Sequence, residues 1–180
     1  MSKITALSLS IAILGGIWAF LALGPLAGFV AVWAGFIAWG CFFHTGADMA
    51  ALQKTIIGMS YGAVIAGIAL LLATTNPLGL PGALGPAIYI AVTVFALVIV
   101  ARFDLLSVVP ANVYGYAATA AYGLQTADAA STTALSLGNP VLIIIFSTIL
   151  GAVFGLISAK IADAIEKNND TIAHSRLRSK

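Results

Sequence analysis

Apolar runs alternate with short polar breaks along the whole chain. The runs read as six helices, over residues 4–23, 26–43, 55–74, 87–101, 105–123 and 141–162. A helix needs about 20 mostly apolar residues to cross the hydrocarbon core of a bilayer. The pattern therefore predicts an all-α membrane protein with six transmembrane helices and little else.

The breaks carry the turn chemistry. Gly24-Pro25 predicts a tight turn, because proline cannot continue a helix interior. Residues 44–54, HTGADMAALQK, form a polar break in which Asp48 suits the cap of a short helix leading into the third span. Residues 75–86 hold three Pro and three Gly without a charge, which predicts an interfacial loop. Arg102-Phe103-Asp104 is a minimal turn, and residues 124–140 form a polar loop. One domain results, a six-helix unit over residues 1–163, followed by a charged tail over residues 164–180.

Composition sharpens this picture. The chain is 61% hydrophobic and 8% charged, whereas a soluble domain carries roughly 25% charged residues. Lys3, Lys54, Arg102, Lys160, Lys167, Arg176, Arg178 and Lys180 all fall where six crossings would bring them to one face. The positive-inside bias then puts both termini in the cytoplasm, with Asp128 the only charge on the outer face. The net charge of +2 is split among short inner segments and points to no nucleic acid. In the tail, mixed charges read as a solvated helix end anchored to anionic lipid. The first twenty residues imitate a signal peptide, but the second apolar run follows so closely that a helical hairpin fits better.

The two halves of the chain resemble each other. VWAGFIAWG from Val32 echoes VPANVYGYA from Val109, pairing Val32 with Val109, Ala34 with Ala111, Phe36 with Val113 and Trp39 with Tyr116. Thr45 to Asp48 is echoed by Thr126 to Asp128, Ile11-Ala12 by Ile90-Ala91, and Gly62-Ala63-Val64 by Gly151-Ala152-Val153. Units of three spans must cross in opposite senses. The expectation is an inverted 3+3 repeat, about 4–74 and 87–162, of the kind transporters and channels use.

Candidate chemistry concentrates in spans two and five. Span two carries Trp33, Phe36, Trp39, Phe42 and Phe43, with His44 at its cytoplasmic end. Span five carries Pro110, Asn112, Tyr114 and Tyr116. Pro110 lacks an N–H and should free the carbonyl near Leu106 or force an irregular turn. Freed backbone at membrane depth needs protein or a wet cavity around it, so Pro110 and Asn112 read as a polar constriction. The competing reading is a kink with Asn112 bonding across helices. Gly58-xxx-Gly62 and Gly151-xxx-Gly155 predict tight packing in spans three and six, as scaffold or subunit contact.

Several chemistries lack their residues. Cys41 is the one cysteine, which excludes an intrachain disulfide, and reads as a small buried hydrophobe. No metal spacing occurs, no cofactor is expected, and no nucleophile has a paired base, so an enzyme is not expected. The spans hold no Asp, Glu or His for a proton relay, since His44 lies at a span end.

VWAGFIAWGCFFHTGAD in span two, the stretch from Lys54 to Gly62, and LLSVVPANVYGYAATAAYG in span five resemble the bacterial inner-membrane family known as domain of unknown function 1097. That resemblance covers nearly the whole chain and implies a small multi-pass protein with no functional residue to carry over. Span five is also distantly similar to the Leu-Pro pore loops of bacterial urea transporters. It departs from their Thr-x-Pro-Phe continuation, having Val113-Tyr114-Gly115-Tyr116.

The functional expectation is a passive channel for a small uncharged polar solute such as urea, ammonia or a small amide, in a homo-oligomer embedded in the bilayer. Trp33, Phe36 and Trp39 would flank the solute, with Pro110, Asn112, Tyr114 and Tyr116 opposite. Asn112 and freed carbonyls would replace its water, so Asn112→Leu should reduce flux without unfolding the protein. The alternatives are a non-transporting accessory subunit and, below it, a cation channel using an oligomeric ring of Asp128.

Overall fold

In a computed structural model, residues 2–127 and 129–178 are described, with side chains through residue 167. Asp128, on which the cation-channel alternative depends, lies outside the described residues, as do the side chains of the tail beyond Lys167. Among the described residues every regular element is helical: α1 (Lys3–Leu23), α2 (Val32–Thr45), α3 (Met49–Thr75), α4 (Leu84–Ile99), α5 (Val109–Gln125) and α6 (Pro140–Arg178). Two 3-10 turns, Val100–Arg102 and Asp104–Leu106, join α4 to α5.

Four of these segments are long and apolar enough to cross a membrane: Lys3–Leu23, Met49–Thr75, Leu84–Arg102 and Pro140–Lys167. The other two are short. α2 has 14 residues and α5 has 17, so α2 is only about 21 Å long at 1.5 Å per residue.

The short helices start later than the hydropathy pattern predicts. Residues 24–31 form an irregular connection in place of the expected Gly24-Pro25 turn, with Gly28 at φ 83°. This segment is as apolar as a helix, so hydropathy alone does not separate the two. Its last residue, Ala31, has no cap of its own and donates its N–H to the Ser147 hydroxyl of α6 at 2.9 Å. Pro110 is likewise no mid-helix break. It sits in the first turn of α5, where its missing N–H leaves no intrahelical bond unmade.

Local chemistry sets the other ends. The Asp48 carboxylate caps α3 by accepting the Ala51 N–H at 2.7 Å, and α3 then runs unbroken from Met49, with no separate short helix before it. Asn76, left-handed at φ 43°, closes α3 by donating its N–H to the Leu72 carbonyl at 2.9 Å.

α3 and α6 touch at the centre. α5 packs on α3 and α2 packs on α6, the two most extensive contacts in the fold; α4 flanks α3 and α1 flanks α6. Glycines permit the approach. A side chain on Gly62 would run into the Asn112 backbone of α5, and one on Gly151 into the Gly35 backbone of α2. Gly58 and Gly155 also face inward, toward Asn112 and toward Phe42 and Trp39. These glycines thus serve packing within the chain.

Small residues of α2 and α5, with Met59 of α3 and Ile143 and Ile144 of α6, fill the space where α2 passes α5. Ala34, Ala118, Ala63, Ile143 and Ile144 form one cluster; Ala38, Cys41, Ala111 and Met59 form another. Ala34, early in α2, clusters with Ala118, late in α5, and Cys41 with Ala111, so the two helices run antiparallel.

Candidate functional site

The polar group expected in the fifth span lies where α5 begins. Asn112 is fully buried. Its amide donates to the Leu106 carbonyl at 3.1 Å and to the Leu97 carbonyl at 3.3 Å. Leu106 stands four residues before Pro110, which has no N–H to offer it, and Leu97 belongs to the last turn of α4, where the helix tightens into a 3-10 turn. The side chain therefore supplies donors to two carbonyls at the α4–α5 connection. Its own oxygen, facing Gly58, has no hydrogen-bond partner. The freed carbonyl near Leu106 is present as expected, but Asn112 itself takes it up.

The aromatics of α2 face elsewhere. Trp39 is buried, donating its ring N–H to the Ser158 hydroxyl of α6 at 3.1 Å. Phe36 stacks on it with ring centroids 5.8 Å apart and contacts the open side of Gly15. Trp33 and Tyr114 are exposed on the molecular surface, at 42% and 37%. The Tyr116 hydroxyl shares a hydrogen bond with Thr93 of α4 at 3.1 Å.

The seven residues thus divide among three environments. Pro110, Asn112 and Tyr116 belong to the junction of α5 with α3 and α4. Trp39 belongs to the α2–α6 contact, and Trp33, Phe36 and Tyr114 lie on the outside, Phe36 stacked on Trp39 from the exposed face. Among the described residues, none of the seven lines the cavities of about 260 to 360 Å³ that flank the helices. Between the two groups lies the small-residue packing of α2 on α5.

A row of hydroxyls escaped the sequence reading. Ser147 and Ser158 of α6 are fully buried and serve the α2 backbone and Trp39. Ser10 of α1 donates to the Ser158 carbonyl at 2.9 Å. Thr148 is fully buried and its hydroxyl oxygen has no partner. The signal was present: Ser147, Gly151, Gly155 and Ser158 recur at helical spacing and mark the face of α6 on which α1 and α2 settle.

The chemistry available is that of neutral hydrogen bonds. Among the described residues no Asp, Glu, Lys, Arg or His is buried. No group of three His, Cys, Asp or Glu side chains among them could hold a metal ion. Cys41 is buried beside Thr55, whose hydroxyl points to its sulfur at 3.7 Å. Among the described residues two ion pairs lie at one end, Lys54 with Asp104 at 2.8 Å and Lys3 with Asp163 at 3.7 Å.

Long apolar helices, with no buried charged side chain among the described residues, define the class, a multi-helix membrane protein. The chain belongs to the family described as "Protein of unknown function (DUF1097)", which matches residues 8–163. No curated protein and no solved structure matches it.

Proposed function

We propose that the chain is a passive facilitator for a small uncharged polar solute, such as urea, ammonia or a small amide, in the bacterial inner membrane. It would be built on six crossings in two inverted halves. The observation that carries this reading is the exchange of contacts between the halves. Helix α3 lies on α5 as α6 lies on α2; α4 flanks α3 as α1 flanks α6. Gly62 meets the backbone of Asn112, and its sequence counterpart Gly151 meets that of Gly35, the counterpart of Asn112. Antiparallel α2 and α5 agree with halves of opposite sense, the architecture on which alternating or channel-like pathways are commonly built. A neutral interior favours solutes that need no charge compensation.

The packing of α2 on α5 moves the proposed pathway. With Ala34, Ala118 and their neighbours filling the protomer, passage belongs between copies, along the outer faces of α2 and α5 that bear Trp33, Phe36 and Tyr114. A homo-oligomer is therefore part of the proposal. The filled core also favours a second reading, a non-transporting accessory subunit.

Stopped-flow light scattering on proteoliposomes facing a urea gradient separates the two. The facilitator reading expects re-swelling faster than in empty liposomes and slowed by Trp33→Ala or Tyr114→Ala, exposed positions whose truncation spares the core. Rates equal to empty liposomes for urea, ammonia and small amides would leave the accessory subunit as the reading.

A further inference from the structure

The two ion pairs at the charged end differ in a way that points to a ligand. Lys54 and Asp104 are closed on each other at 2.8 Å, and Lys54 also reaches the Ser107 hydroxyl. Lys3 and Asp163 stand 3.7 Å apart, beyond hydrogen-bond reach, with both side chains more than half exposed. They sit at the rim of a cavity of about 340 Å³. Its walls are Leu7 of α1, Phe43 of α2, Gly46 of the α2–α3 turn and Ala159 of α6. Apolar walls beneath one cation and one anion suit an amphiphile whose head carries both signs.

The first turn of α1 adds to the positive side. Ser2 caps it, accepting the Thr5 N–H at 3.3 Å, and the helix N-terminus reinforces the ammonium of Lys3 in attracting an anion. Across the rim, Asp163 offers acceptor oxygens to a cationic N–H donor.

We propose that this cavity binds a zwitterionic phospholipid with a primary ammonium headgroup. The phosphate lies against Lys3 and the start of α1, the ammonium donates to Asp163, and the glycerol and upper acyl chain follow Leu7 and Phe43. Charge complementarity selects the occupant. A headgroup without an ammonium brings Asp163 no donor beyond the distant Lys3, and a quaternary ammonium has no N–H to donate to it. The site rests on the membrane reading of the chain and is independent of solute passage.

Native mass spectrometry of the full chain in detergent tests this with short-chain phosphatidylethanolamine, phosphatidylcholine and phosphatidylglycerol. The wild type should bind the ethanolamine lipid about fivefold more tightly than either of the others, the scale of one exposed ion pair. Asp163→Asn should abolish the preference and Lys3→Gln should weaken binding of all three. Asp104→Asn, at the other ion pair, should change nothing. Equal binding of the three lipids by the wild type, or a preference that survives Asp163→Asn, would overturn the site. Absence of solute flux in proteoliposomes would leave it standing.

Discussion

Asn112 is the residue on which the sequence and the structure speak most directly to each other. Its type and its nearness to Pro110 marked an unusual point in an apolar run, and the freed carbonyl of Leu106 lies within its reach. What the sequence does not contain is the second carbonyl, Leu97, brought in by the end of α4. With both amide donors engaged, the side chain holds the α4–α5 connection together. Asn112→Leu would remove the amide from the buried Leu97 carbonyl and the part-buried Leu106 carbonyl, at a cost of about 1–3 kcal/mol, most of it at Leu97. The expected result is a clear loss of thermal stability in detergent. That replaces the earlier expectation of reduced flux in an intact fold. A variant melting with the wild type would show that water reaches the junction and satisfies those carbonyls in place of the amide.

At the scale of elements, the positions of all six helices were legible from hydropathy, and the starts of α2, α3 and α5 and the far end of α6 were not. Residues 24–31 are apolar throughout, so nothing in their pattern separates helix from irregular chain. Spacing also placed the aromatic face of α2 and the polar face of α5 without saying which neighbours those faces meet. Trp39 turned to Ser158 and Asn112 to α4, because the glycines of α3 and α6 draw α5 and α2 onto different helices. The small-residue pattern was thus the better guide to architecture than the unusual residues. Gly62→Ala tests it. The added methyl meets the Asn112 backbone, which cannot rotate away, so α3 and α5 must separate at a cost of about 1–3 kcal/mol or more. Gly16→Ala, in open space on α1, should be neutral or mildly stabilising. Thermal melts of the two variants should differ by several degrees; coincident melts would mean that the α3–α5 contact is looser than the structure places it.

For the molecule as a whole, the segregation of charge and the lengths of the helices pull in different directions. Lys3, Lys54, Asp104 and Asp163 gather at one end, as six crossings require, while α2 and α5 are shorter than a full span. Six crossings would need the missing length from residues 24–31 before α2, where Val30 and Ala31 are buried, and from the chain before α5, where Leu106 and Val108 are half-buried. Irregular backbone at membrane depth is stable only with such cover, and the Ser147–Ala31 and Asn112–Leu106 bonds provide it. In the proposed six-crossing arrangement, both short helices complete a crossing together with the segment before them. Cysteine accessibility decides this, because Cys41 is 1% exposed and contributes little background. Met49→Cys, Leu78→Cys, Asp104→Cys and Ser131→Cys each place a thiol on an exposed connection. In intact cells an impermeant maleimide should label positions 78 and 131, and should reach 49 and 104 only after permeabilisation. Labelling at 49 from outside would mean that α2 turns back without crossing. Labelling at 104 and 131 from the same side would mean the same for α5, and either result would remove the six-crossing frame on which inverted halves depend.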